Sequence, residues 1–194
     1  MGGVLSPYFG IHAPAASDIS FTTGESVASR LGPGGSLQLT TQVVAFSYFT
    51  AQRTETVAYV TTYSNSTALT GGSYAAVGVY TVDGSGNLTK VIDTGDLHTT
   101  IWASTFTTYV TALTASFTKV AGQKYAVGFL AVGSGPPKIQ AYTPAGGLIA
   151  TATPSMITSL AAQSTLPASV TAGSLGVTTY FQMPAALLSP TSTP

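Results

Sequence analysis

The sequence contains one short segment, residues 93–98, in which acidic side chains and an imidazole lie close together. Asp93, Asp96 and His98 offer the oxygen and nitrogen donors that bind divalent cations. Their spacing matches neither an EF-hand loop nor a zinc motif, and Asp and Gly are also common turn residues. We therefore interpret the segment as a polar turn with these three side chains as candidate metal ligands. We predict neither a bound metal nor a cofactor.

No arrangement typical of a catalytic centre is visible in the sequence. A serine hydrolase needs Gly-x-Ser-x-Gly between a strand and a helix. Residues 84–86 lie in a predicted hairpin instead, and residues 133–135 precede two prolines. A glycosidase needs two carboxyl groups roughly 5 to 10 Å apart. Such a pair would have to come from Asp18, Glu25, Glu55, Asp83, Asp93 and Asp96. We predict no enzymatic activity, with a β-sandwich hydrolase as the alternative that such a pair would reveal.

Aromatic side chains remain as residues that could recognise a ligand, because carbohydrate-binding sandwiches stack sugars on exposed rings. Rings at alternating strand positions more often fill the core, and a lone Trp is more often core or interface than a ligand platform. Trp102 follows the acidic segment and need not lie in a central strand. We take Trp102, Tyr74 and Tyr63 as candidate ligand-binding residues. Further rings in the set are Tyr8, Phe9, Phe106, Tyr109, Tyr142 and Tyr180.

The composition narrows the classes of partner. Only 6% of the 194 residues are charged, and six basic and six acidic side chains cancel, whereas an average soluble protein has about 25% charged residues. Binding to nucleic acid needs clustered Lys or Arg, and a membrane span needs roughly 20 apolar residues; we predict neither nucleic-acid binding nor membrane insertion. There is no Cys. A surface so poor in charge gives little repulsion between copies, which favours a homo-oligomer.

The elements that must position these residues are strands. β-branched and aromatic residues alternate with a period of two in residues 44–49, 57–63 and 109–117, as expected of strands with one buried face. Residues 83–86 (DGSG) predict a hairpin turn, and residues 121–123 predict a second. Turn signals every 8 to 12 residues or so are typical of an antiparallel β-sandwich or jelly roll.

Three zones are predicted along the chain. Residues 1–40, rich in Gly, Pro, Ala and Ser, are interpreted as an extended arm with short strands. Residues 41–185 are predicted to form the β-sandwich. Residues 186–194, rich in Pro, Ser and Thr, are interpreted as a tail.

Three segments carry a resemblance to a known family. They are residues 46–55 (FSYFTAQRTE), 77–89 (VGVYTVDGSGNLT) and 121–128 (AGQKYAVG). In this order and spacing they resemble small minor tail proteins of tailed phages that infect actinobacteria, over about residues 42–132. The sequence has Gln52 where the family usually has a basic residue. The matched segments are hairpins and strands rather than a site.

The resemblance implies a structural virion protein, with a minor tail or tail-tip position favoured over the capsid surface. The alternatives are a capsid decoration protein and a carbohydrate-binding adhesin module. The implied partners are other virion proteins and further copies of this chain, with a trimer favoured because phage tails are built on three-fold or six-fold axes. A host-surface glycan is a further candidate partner.

Overall fold

The computed structural model describes residues 25–26, 34–142, 157–177 and 182–192. Within these ranges the regular elements are strands and one turn of 3₁₀ helix (Ala172–Ser174). The strands are β1 Glu25–Ser26, β2 Gly34–Gln38, β3 Val44–Thr50, β4 Glu55–Tyr63, β5 Thr70–Val82, β6 Leu88–Asp93, β7 Thr108–Lys119, β8 Lys124–Gly135, β9 Lys138–Tyr142, β10 Ile157–Leu160, β11 Ser169–Val170, β12 Gly176–Val177, β13 Met183–Pro184 and β14 Leu187–Ser189. No helix in this part of the chain has the length and apolar character of a membrane span.

The strands form three antiparallel sheets. The largest has the order β11-β6-β5-β8-β3-β10-β12, the second β1-β14-β4-β7 and the smallest β13-β9-β2. Every strand pair is antiparallel. The predicted all-β, antiparallel sandwich is therefore confirmed.

The main core lies between the seven-stranded and four-stranded sheets, with the small sheet closing one side. Its members alternate along each strand, so the period of two in the sequence corresponds to one buried face. They include Val57, Val60 and Leu188 from the four-stranded sheet, Val79, Val127 and Phe129 from the seven-stranded sheet, and Leu37 and Ile139 from the small sheet.

The central strands of the seven-stranded sheet, β3, β5 and β8, have segments buried on both faces, which explains the continuous apolar runs of β5 and β8. A second core on its other face includes Phe46, Tyr80 and Leu130, and Leu166 and Val170 lie against it. A hydrogen bond holds the segment around Leu166 against this core: the Tyr80 hydroxyl donates to the main-chain carbonyl of Pro167 at 3.1 Å.

Two paired glycines make room for aromatic rings in this second core. Gly78 and Gly128 are opposite each other on β5 and β8, and Gly128 is opposite Phe46 on β3. The rings of Phe46 and Tyr80 meet edge to face with centroids 5.2 Å apart. A Cβ at Gly128 would lie only 2.8 Å from Phe46 Cε1, so a side chain at this position cannot fit without movement.

The two predicted hairpin turns are confirmed. Asp83 Oδ1 accepts hydrogen bonds from the amides of Ser85 and Asn87 at 2.9 and 2.8 Å, and Gly86 adopts a φ of 84°. Between β7 and β8, Gly122 adopts a φ of 80°. Both glycines use left-handed backbone that is accessible to Gly at little cost.

Two predicted boundaries need correction. The end of the predicted arm belongs to the sandwich, because β2 pairs with β9 and Leu37 is buried in the main core. Likewise, the predicted tail contains strand β14, which pairs with β4 and buries Leu187 and Leu188. The rest of the predicted arm, residues 1–24 and 27–33, lies outside the described residues.

Candidate functional site

Trp102 is buried in the main core and is not an exposed ligand platform, so that interpretation is wrong. Its side chain is 0% exposed, and the indole Nε1 donates to Thr62 Oγ1 at 3.0 Å. The Trp102 carbonyl accepts from the Leu69 amide at 2.8 Å. Its φ of 56° lies in a region that costs a bulky residue energy. Burial of the ring and the indole hydrogen bond hold it there.

Tyr74 and Tyr63 do not join Trp102 in one site. Tyr74 packs on the second core, on the opposite face of the seven-stranded sheet, and its hydroxyl accepts from the Leu166 amide at 3.4 Å. Burial raises the pKa of Tyr74, and the bond from Leu166 opposes that rise. Tyr63 is half-buried at the end of β4 and pairs with Thr108 of β7. The three candidates therefore belong to three different surroundings.

The side chains of the acidic segment at residues 93–98 form hydrogen bonds and ion pairs that fix the connection after β6. Asp93 forms an ion pair with Lys90 at 2.7 Å and accepts from the Gly95 amide at 3.0 Å. Asp96 Oδ1 accepts from the Ala75 amide at 3.0 Å, and Asp96 Oδ2 lies 2.9 Å from His98 Nδ1. The segment is thus tied to β5 and to itself, as its interpretation as a polar turn requires.

The pKa of Asp96 reflects these contacts. Burial alone would raise the pKa of this carboxyl, but the hydrogen bonds from Ala75 and His98 outweigh burial and lower it. The folded protein therefore favours the ionised carboxylate of Asp96. In the described residues, no group of three or more His, Asp or Glu side chains is placed to hold a metal ion.

A buried ion pair lies where β4 meets the end of β7. Lys119 is 0% exposed, and its Nζ lies 2.8 Å from Glu55 Oε1 and 3.3 Å from the Arg53 carbonyl. Arg53 Nε lies 2.8 Å from Glu55 Oε2. Glu55 therefore joins two cations and fixes the turn between β3 and β4. Gln52, at the position where the resembling family has a basic residue, instead donates to the Thr50 carbonyl at 3.2 Å.

Among the described aromatic residues, Phe106 is the one whose ring is largely exposed to solvent. It is 64% exposed and has a φ of 49°, an unfavourable conformation for an aromatic residue. Its amide donates to the Asn65 carbonyl at 3.1 Å. The buried Ser64 holds the same turn, since its Oγ accepts from the Thr107 amide at 3.0 Å. The ring is therefore displayed on an anchored turn.

Exposed apolar side chains are concentrated along β7. In the described part of the chain, the exposed large apolar residues are Val91 at 39%, Phe106 at 64%, Val110 at 41% and Val120 at 52%. Val110 lies in β7, and Phe106 and Val120 lie within two residues of its ends. Val91 lies in β6, which contacts β7. This distribution makes β7 and its flanks the candidate interaction surface.

The outer face beside β7 carries no charge at its centre. Because Val60 and Thr62 point into the core, the intervening Thr61 and Tyr63 face outward. Thr61 is opposite Val110, and Tyr63 is opposite Thr108. Of the three ligand-binding candidates, Tyr63 alone therefore borders the surface that the fold exposes.

No protein-family model matches the chain, and no curated protein matches it. The resemblance to phage minor tail proteins therefore stays a prediction. The three segments that carry it form the β3–β4 turn, the β5–β6 hairpin and the start of β8.

Sequence reasoning did not distinguish Phe106 from the buried Trp102, four residues earlier. Both rings lie in the connection between β6 and β7, and both have positive φ. The sequence feature that could have indicated an exposed surface near Phe106 is the lack of charge, because residues 103–118 contain no charged side chain. A long strand without charge is typical of a surface that another chain covers.

Proposed function

We propose that the protein is a non-enzymatic structural component of a phage particle, placed in the tail or at the tail tip, that works as one copy in a homo-oligomer. The observation that carries the proposal is the concentration of exposed apolar side chains along β7 in a chain with only 6% charged residues. Monomeric proteins rarely leave such a strand open.

The use of the polar side chains supports a structural role. Each acidic side chain that the structure describes binds a neighbouring group: Glu55 binds Arg53 and Lys119, Asp83 the turn at Asn87, Asp93 Lys90, and Asp96 His98. Carboxyl groups held in this way stabilise turns and strand ends. A carbohydrate-binding adhesin is less well supported than a structural role, because its first candidate residue, Trp102, is buried.

The proposal of a phage particle rests on the resemblance to minor tail proteins. Its three segments form the β3–β4 turn, the β5–β6 hairpin and the start of β8. We expect the partners to be further copies of this chain and neighbouring virion proteins. The smallest closed ring compatible with a tail axis is a trimer.

The proposal is tested on particles produced by the genome that encodes the chain. Mass spectrometry of purified particles should find the protein, and gold-labelled antibodies should mark the tail or its tip. Labelling of the head would contradict the tail position and support a capsid decoration protein. Absence of the protein from purified particles would contradict a structural role in the virion.

A further inference from the structure

β7 is much longer than the other edge strands of the three sheets. The other terminal strands in the described part of the chain are β1, β2, β11, β12 and β13. These contain two to five residues each, whereas β7 contains 12. Natural sheets protect an edge with short strands, charged residues, Pro or bulges, because an open edge pairs with other chains. β7 therefore depends on its bulge and on its side chains to protect whatever part of its edge is open.

Only part of strand β7 has an open edge. Its pairing with β4 shifts between Val57 and Tyr59, so residues 113–116 leave the regular ladder. In that bulge Thr114 donates to the Asp93 carbonyl of β6 at 2.9 Å, which covers the middle of the strand. Residues 108–112 remain the longest regular stretch of β7 that pairs with β4 on one side and with no strand of the described part of the chain on the other. We call residues 108–112 the β7 edge.

The β7 edge is short and ends at a bulge, but it lacks the side chains that usually protect an open edge. Its sequence, Thr-Tyr-Val-Thr-Ala, contains no charged residue, no Pro and no Gly. Thr108, Val110 and Ala112 are exposed on its outer face. Phe106, 64% exposed, lies two residues before it. Association along this edge would satisfy main-chain groups and remove apolar surface from water.

We propose that two copies of the protein pair antiparallel through the β7 edge, across a two-fold axis at Val110. A second copy is the occupant that an uncharged edge fits best, since a two-fold contact places like groups together and would suffer from any net charge. The anchored turn at Phe106 and the bulge that begins at Leu113 limit the pairing to five residues. The middle of those five is Val110.

This register makes definite pairs. Val110 faces Val110 of the second copy, and Thr108 faces Ala112 of the second copy. Phe106 then lies near the bulge of the second copy, where Thr114 is exposed. A five-residue ladder is a small contact, so we expect it to be weak between free subunits and strengthened when several copies are held together.

A two-fold contact deepens the proposed function by naming the partner of β7, and it predicts an even number of copies: a dimer, or a hexamer where a three-fold ring also forms. The contact does not require that the protein be found in a particle. A trimer without contact at β7 would leave the proposed function standing and overturn the two-fold contact.

Disulfide trapping tests the contact directly, because the chain has no native Cys. Facing residues in an antiparallel pair have Cα atoms about 4.5 to 5.5 Å apart, within the roughly 4.4 to 6.8 Å that a disulfide spans. Purified Val110→Cys protein under mild oxidation should therefore form a covalent dimer about tenfold faster or more than Ser85→Cys protein, since a held contact raises the effective concentration. Ser85 is exposed at the tip of the β5–β6 hairpin and serves as the matched control.

The register has its own test. A mixture of Thr108→Cys and Ala112→Cys proteins should give the mixed dimer faster than either variant gives its own dimer. Equal rates for Val110→Cys and Ser85→Cys would overturn the contact. Faster self-linking of Thr108→Cys than of the mixture would overturn the register. Far-UV circular dichroism should match the native protein for every variant, because all four positions are exposed.

Discussion

Replacement of Trp102 by Ala should cost the protein much of its stability. The side chain is 0% exposed in the main core, and its Nε1 donates to Thr62 Oγ1, which is itself on a residue only 3% exposed. Truncation of a buried Trp to Ala costs about 3–5 kcal/mol. The orphaned Thr62 hydroxyl adds up to about 1–3 kcal/mol where it finds no new partner. In a chain of this size about 1 kcal/mol corresponds to 2–4 °C in Tm, so a total loss of about 3–8 kcal/mol should lower Tm by roughly 6–32 °C.

Urea denaturation followed by far-UV circular dichroism measures the loss. Trp102→Phe should cost less than Trp102→Ala, because the ring still fills most of the space. Thr62→Val removes the hydrogen-bond acceptor instead of the donor. The double variant Trp102→Phe/Thr62→Val completes a double-mutant cycle, in which we expect a coupling energy of about 0.5–3 kcal/mol. Trp102 is the sole Trp of the chain, so fluorescence of the unmodified protein should shift to longer wavelength on unfolding.

Two results would contradict the burial of Trp102. One is a Trp102→Ala protein whose stability stays within about 0.5 kcal/mol of the original, as an exposed position would give. The other is native fluorescence at the wavelength of a solvated indole. Either would place Trp102 on the surface and restore it as a ligand-binding candidate.

Further predictions concern packing, the buried ion pair and acid. Gly128→Ala should cost about 1–3 kcal/mol, because the new Cβ would lie 2.8 Å from Phe46 Cε1; thermal denaturation should show this loss, and an unchanged Tm contradicts it. Glu55→Gln should cost about 3–5 kcal/mol by leaving buried Lys119 without its carboxylate; urea denaturation should show recovery when Lys119→Met is added, and no recovery contradicts the pairing. The folded-state pKa of Asp96 is lowered, so its stabilisation is present above the unfolded pKa near 3.8 and is lost as pH falls through the folded pKa. Asp96→Asn should therefore lose less stability than the unmodified protein on acidification from pH 5 to 2, and identical acid profiles would contradict this.

The strands and hairpins were predictable because their causes are local. The period of two along β4 and β7 follows from one face being buried. The turns at Gly86 and Gly122 follow from residues that tolerate positive φ.

Other features depend on contacts between distant parts of the chain and carried no local signal. Lys119 is buried because Glu55, 64 positions earlier, lies opposite it in the sheet. Leu188 looked like part of a tail, yet it pairs with Val60 of β4 and is buried. The exposure of Phe106 and the burial of Trp102 follow from the path of one connection between two sheets.

We propose above all that the protein works as one copy in an assembly. Light scattering coupled to size-exclusion chromatography measures this, since the single chain has a mass of 19.6 kDa. We expect a species whose mass is at least twice 19.6 kDa and whose fraction grows with protein concentration. A mass of 19.6 kDa at every concentration up to the solubility limit would contradict it.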